Sequence, residues 1–274
     1  MPERRLVSTM KSETLRKAIA LFYGILCHSL FIVAVGIMIY EMYFGMSRSW
    51  GALRSPWNWI SNAALLLQFP IVHSLLLSRA GRSVLNRLAP RNFASALSTT
   101  NYVIIASIQI FLLFGFWSPS GTIWWQARGV LLPVMVLLYA SGWFLLVKSM
   151  FDAGIPLQTG SLGWWSVLKN RPPAYPGLRT GGLFRIIRQP IYASFAITLW
   201  TVPTWTPDQL FLASGMTAYC LIGPLFKEAR FRRLFGREFE DYCARHAYWL
   251  PWPKPARSEN TNKHNPETNR ILSL

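Results

Sequence analysis

Across residues 18–43 the only charged side chain is Glu41. A helix of that length reaches roughly 39 Å at 1.5 Å per residue, and about 20 apolar residues already cross the hydrocarbon of a bilayer. Further apolar stretches cover residues 57–77, 102–117, 129–147, 191–205 and 210–226. The first, second and fourth are long enough to cross on their own. The fifth and sixth are shorter, and the turn "VPTWTPD" between them predicts a helical hairpin. Composition agrees: the chain is 52% hydrophobic and 14% charged, where a soluble domain carries about a quarter charged residues. These patterns predict an all-α, polytopic membrane protein with about five to six transmembrane helices.

The net charge of +17 raises the question of a nucleic-acid partner, and its distribution answers it. Of 28 lysines and arginines, all but Arg48, Arg54 and Arg128 fall in alternate inter-helix segments or at the termini. That asymmetry predicts an integral membrane protein with both termini in the cytoplasm. The basic loops suit contact with anionic lipid headgroups, and no basic soluble face for nucleic acid is visible. The first apolar stretch is too long for a cleavable signal and lacks a small-residue cleavage site after it. Cys27, Cys220 and Cys243 are scattered, so neither a disulfide framework nor a metal site is expected. Residues 1–255 read as one domain, and the polar stretch 256–274 as a disordered tail.

Some polar residues are not explained by membrane insertion. His28 and His73 sit in the first and second stretches, each followed by serine, and a membrane histidine costs enough to suggest function. A satisfied interhelical hydrogen bond is the simpler account of both, more so for His28. The segment "GLFRIIRQPIY", residues 182–192, places polar groups at the mouth of the fifth stretch. Gly181 and Gly182 permit a tight turn, Leu183 to Arg188 can form about two short helical turns, and Gln189 before Pro190 should break them. Pro190 suits the first position of the next helix, leaving its free amides and Arg188 to attract a carboxylate or phosphate, with Tyr192 in the same turn. Farther on, in "KEARFRRLFGREFEDY", Glu228 sits where the sixth helix should leave the membrane. The segment then repeats aromatic residues at spacings of three and four, as an amphipathic helix pair would. A local salt bridge from Glu228 to Arg232 is the purely structural reading; binding of cofactor hydroxyl or amino groups is the functional one.

Together these motifs resemble the integral-membrane methyltransferases that include isoprenylcysteine carboxyl methyltransferase and the phospholipid methyltransferases. Their signature runs Gly-x-Tyr-x-x-x-Arg-His-Pro-x-Tyr, a hairpin, Glu-Glu, then Phe-Gly-x-x-Tyr-x-x-Tyr and a proline. The likeness is strongest over residues 170–253 and nearest to the bacterial methanethiol S-methyltransferase branch. That branch shares His73-Ser74, the run "RPPAYPGLRTGGLFR" and the turn "VPTWTP". The resemblance implies S-adenosylmethionine as methyl donor in a cytoplasmic pocket within residues 170–253, lined by Gly182, Arg188, Gln189, Tyr192 and Glu228. It also implies a bacterial inner-membrane location and a small-molecule or lipid acceptor, methanethiol-like or a prenylcysteine carboxylate. His73 and Arg188 are the candidate catalytic groups. Two positions depart from the pattern: Gln189 replaces histidine and cannot titrate, and Lys227 replaces glutamate and reverses a charge.

Overall fold

The computed structural model describes residues 2–251. The expected disordered tail lies outside them. Within them the chain is almost entirely helical: α1 (Pro2–Tyr43), α2 (Trp57–Leu76), α3 (Arg79–Arg87), α4 (Ala94–Gly115), α5 (Leu131–Ala153), α6 (Ile155–Gln158), α7 (Ser161–Leu168), α8 (Pro190–Trp200), α9 (Pro207–Phe235) and α10 (Arg237–Arg245). Five segments are long and apolar enough to cross a membrane: Ser12–Tyr43, Trp57–Leu76, Arg91–Gly115, Leu131–Ala153 and Pro207–Phe235. The protein is therefore read as a polytopic membrane protein.

Side-chain burial runs opposite to that of a soluble protein. Ile25, Ile32, Leu137, Phe144 and Phe226 are about two-thirds exposed, while Asn62, Thr100, Gln109 and Asp208 are buried. Apolar faces this large on several helices are stable only against lipid. Inside the bundle, α4 packs on α1, α7, α2 and α3, while α8 packs between α5 and α9. Gly142 on α5 lets α8 come close: a Cβ there would meet Thr198 at 3.0 Å.

The fifth stretch forms an 11-residue helix, α8. At 1.5 Å per residue it rises only about 16 Å, and the chain completes its path in an extended segment. There β2 (Thr204–Trp205) pairs antiparallel with β1 (Trp125–Gln126). The two strands hold the α4–α5 and α8–α9 connections together at one end of the bundle, called here the far end.

The sixth helix differs from expectation. It does not stop near residue 226 but continues to Phe235, so Glu228 lies inside a helix. The first half of the expected amphipathic pair is thus the last turns of α9; Gly236, at φ 52°, ends α9 and α10 follows. Pro224 does not break α9. Its ring nitrogen cannot donate to the carbonyl of Cys220, and Trp249 Nε1 donates to that oxygen instead at 3.3 Å. Tyr248 Oη caps the neighbouring Leu221 carbonyl at 3.0 Å. The segment after α10 therefore repairs the helix that the proline would weaken.

Candidate functional site at the basic end of α9

At the end opposite the β pair, the chain before α8 makes one 3₁₀ turn, Gly182–Arg185, shorter than the two turns expected from the sequence. Gly182 has φ 58° and is pressed against the Asp152 carboxylate of α5; any side chain there would collide with it. Asp152 accepts from Leu183 N at 2.8 Å and pairs with Lys148. Gly182 thus anchors the loop to α5, and no described contact joins it to Arg188, Gln189 or Glu228.

Gln189 lies just before α8 at φ −122°, ψ 50°, and Pro190 takes the first helical position. This is the break that a residue preceding proline favours. It turns Arg188 and Gln189 toward α9. Gln189 Nε2 donates to Glu228 Oε1 at 2.8 Å, and Lys227 Nζ donates to Gln189 Oε1 at 3.0 Å. The two partners fix which end of the amide is which, because lysine only donates and a carboxylate only accepts. The two residues that depart from the family pattern, Gln189 and Lys227, therefore touch each other.

Glu228 is 3% exposed. Arg188 Nε lies 3.1 Å from its Oε1 but off the line that its N–H needs, so that buried donor has no hydrogen-bond partner. Arg232 Nη2 reaches Oε2 at 3.5 Å. The local salt bridge of the structural reading is present, yet it is one of three partners, two of which come from a segment about forty residues away. Arg188 is further held by Nη1 to the Cys243 carbonyl at 3.0 Å and by its guanidinium 5.4 Å from the Tyr248 ring centre. Its backbone N–H donates to Ala247 O at 2.9 Å. Tyr242 Oη donates to Phe184 O at 2.7 Å, so α10 straps the loop down. Burial pushes the Tyr242 phenol above its ordinary pKa, against the pull of nearby Arg188.

Tyr192 turns to the other side of Lys227. The ammonium stands 5.7, 5.7 and 5.5 Å from the ring centres of Phe184, Tyr192 and Phe231, within cation–π range of each. Tyr192 meets Tyr219 edge-on at 6.2 Å, and Tyr219 meets Phe69 of α2 at 6.0 Å. Phe69 stacks on His73 at 4.9 Å. His73 Nε2 shares a 2.5 Å hydrogen bond with Tyr102 Oη of α4, and its Nδ1 is buried without a partner. His73 is thus connected to the Glu228 cluster through aromatic rings rather than by direct contact. His28 is a different case: its Nε2 accepts from Trp164 Nε1 at 3.1 Å, an ordinary interhelical bond. Sequence reasoning missed Tyr102, Tyr219 and Arg230, which approaches this cluster from α9. Only the place of Tyr102 at the start of the third stretch and the three-residue spacing of Lys227 and Arg230 hinted at them.

Comparison with known proteins agrees with the motifs. The methanethiol S-methyltransferase 1 of Bradyrhizobium diazoefficiens is 27% identical over 194 residues, 70% of this chain and 67% of that protein. The methanethiol S-methyltransferase of Mycobacterium tuberculosis is 26% identical over 199 residues, 71% of this chain and 78% of its own. These similarities are consistent with the membrane methyltransferase superfamily. Nurim of Xenopus laevis is also similar, 26% identical over 165 residues, covering 57% of this chain and 56% of its own. No family model matches the chain, and no solved structure matches it significantly. Among the described residues no group of three or more His, Cys, Asp or Glu side chains could hold a metal ion.

Proposed function

We propose that this chain is an S-adenosylmethionine-dependent membrane methyltransferase, acting at the cytoplasmic face of a bacterial inner membrane on a small thiol or another small lipophilic nucleophile. One observation carries the reading. The buried Glu228 carboxylate meets Arg188 and Gln189 at the start of α8, and the relatives are named for methyl transfer to methanethiol.

The side chains present fit the donor's amino-acid end. Arg188 holds a buried, unpartnered Nε–H, and the first turn of α8 has no side-chain cap; both suit a carboxylate. Glu228 suits an ammonium or hydroxyl group, with Gln189 orienting it. Gly182 keeps the loop tight against α5, and Tyr192 supplies an aromatic wall. When bound, S-adenosylmethionine supplies a methyl group already electrophilic on its sulfonium, so the protein contributes alignment more than activation. On the acceptor side we assign His73 the role of base. With the ring proton on Nε2 and shared with Tyr102, Nδ1 is an open acceptor for the proton that a thiol must lose.

A carboxylate acceptor on a prenylated cysteine, or a lipid headgroup, is the alternative within the same chemistry. The Lys227–Gln189 contact favours weighing one further reading, a relative that keeps the fold and binds something else. The test is calorimetric titration of the detergent-solubilised protein with S-adenosylhomocysteine, followed by headspace analysis of methylated sulfur volatiles from expressing cells. Binding together with volatile production supports the thiol reading. Failure to bind at millimolar ligand overturns the methyltransferase reading.

A further inference from the structure

Glu228 carries one charge: its Oε1 faces Arg188 and Gln189, and its Oε2 faces Arg232. Two further cations of α9 stand beside this cluster, Lys227 and Arg230, three residues apart and so on one helix face. Lys227 spends one donor on a neutral amide. Arg230 is half-buried and lies within electrostatic reach of His73, Tyr102, Tyr192 and Lys227. Among the described residues no acidic group pairs with it. The titratable groups facing the pair are His73, the Tyr102 and Tyr192 phenols, each other and, beside Lys227, the Glu228 carboxylate. That one carboxylate already faces Arg188 and Arg232, so the cluster keeps a surplus of positive charge partly withdrawn from water, which a further negative group would relieve. The adjoining wall is apolar: Phe69, Tyr102, Tyr192 and Tyr219.

We propose that Lys227 and Arg230 form an anion site against these aromatic rings, and that the methyl acceptor is bound as an anion, a thiolate or a carboxylate carrying a small apolar body. The inference rests on the methyltransferase reading for the word acceptor; the anion site itself does not depend on it. Lys227 holds the charge in register because three rings surround its ammonium and Gln189 tethers it. Arg230 supplies the flat guanidinium that can take two oxygens, or one sulfur, from the α2–α4 side.

The probes are hexanoate and its neutral isostere hexanamide, titrated into the full chain in detergent with and without S-adenosylhomocysteine. Hexanoate should bind at least tenfold more tightly than hexanamide. Arg230→Gln and Lys227→Gln should each cut that preference by threefold or more, the double variant should abolish it, and Arg230→Lys should retain most of it. Thermal unfolding of each variant checks that the fold is kept; if Arg230→Gln does not fold, Lys227→Gln alone still decides. Equal binding of both probes to the natural chain, or full preference in a folded Lys227→Gln variant, would overturn the proposal. A chain that prefers hexanoate but binds no S-adenosylhomocysteine leaves the anion site standing and removes the methyltransferase reading. The converse removes only the site.

Discussion

Helix α9 carries a buried carboxylate near each end, and the two are held in opposite ways. At the far end Asp208, 1% exposed, accepts from Trp117 Nε1 at 2.9 Å, Ser120 N at 2.9 Å and Ser120 Oγ at 2.5 Å. All three donors are neutral. Around it neutral groups meet: Asn62 exchanges bonds with Ser118, and Thr206 caps α9 while bonding to Gly45 O; the acceptors left over nearby, Gln209 Oε1 and Asn58 Oδ1, are neutral too. At the basic end Glu228 faces cations in excess of its own charge, beside an Arg188 Nε–H without a hydrogen-bond partner. A buried carboxylate met only by neutral donors fixes structure. One set among surplus positive charge with an open donor is a candidate ligand site. The contrast gives one end of the helix an architectural role and makes the other the end where the proposed chemistry is tested.

The largest effect should come from the far end. Asp208→Ala leaves an indole, a backbone N–H and a hydroxyl without their acceptor in a dry interior, a loss of about 3–5 kcal/mol by analogy with broken buried networks. Thermal unfolding in detergent should show a large drop in Tm. Whatever fraction stays folded should bind S-adenosylhomocysteine with natural affinity. If affinity fell in step with stability, the division between the two ends would be wrong.

Glu228→Gln reverses the pattern. It keeps the shape and the Gln189 contact, so the stability loss should be only about 1–2 kcal/mol, less than for Asp208→Ala. Ligand affinity should fall at least tenfold, or about 1.4 kcal/mol. Trp249→Phe probes the repair of α9 at Pro224. Loss of one donor to the Cys220 carbonyl should cost about 1 kcal/mol, read as a modest shift in Tm with binding intact.

The smallest effect is on alkaline stability. Burial raises the Cys243 thiol and the Tyr248 and Tyr242 phenols in the folded chain. The sign follows from proton binding: the folded state holds these protons more tightly than the unfolded one. Their contribution is complete below the unfolded values of 9.0 and 10.0 and is lost as pH rises through the higher folded values. Unfolding midpoints should be flat across neutral pH and fall above about pH 9. A fall beginning near pH 7 would assign the loss to other groups.

Much of this architecture is legible in residue order, because a bilayer demands long apolar cylinders and leaves few alternatives. The apolar stretches, the short fifth helix and the break at Gln189–Pro190 follow from local rules. The course of α9 through Pro224 does not, since Trp249, which caps the freed carbonyl, lies 29 positions away. Helices α6 and α7 were hidden for a related reason: Gly160, the residue before α7, has φ 75° and packs against Cys27 and Val103, so its role depends on tertiary contact. At the site, the convergence of Arg188, Gln189 and Glu228 followed from motif order. The partnership of Lys227 with Gln189 and the bond between His73 and Tyr102 did not, because no spacing rule links different helices.

The most direct test of the central claim is a matched calorimetric titration with S-adenosylhomocysteine on the natural chain, Arg188→Ala, Glu228→Gln and Asp208→Asn. The account predicts saturable binding by the natural chain, binding retained in the folded fraction of Asp208→Asn, and at least tenfold weaker binding in the other two. No binding by the natural chain at millimolar ligand, or equal affinity in all four, would contradict it.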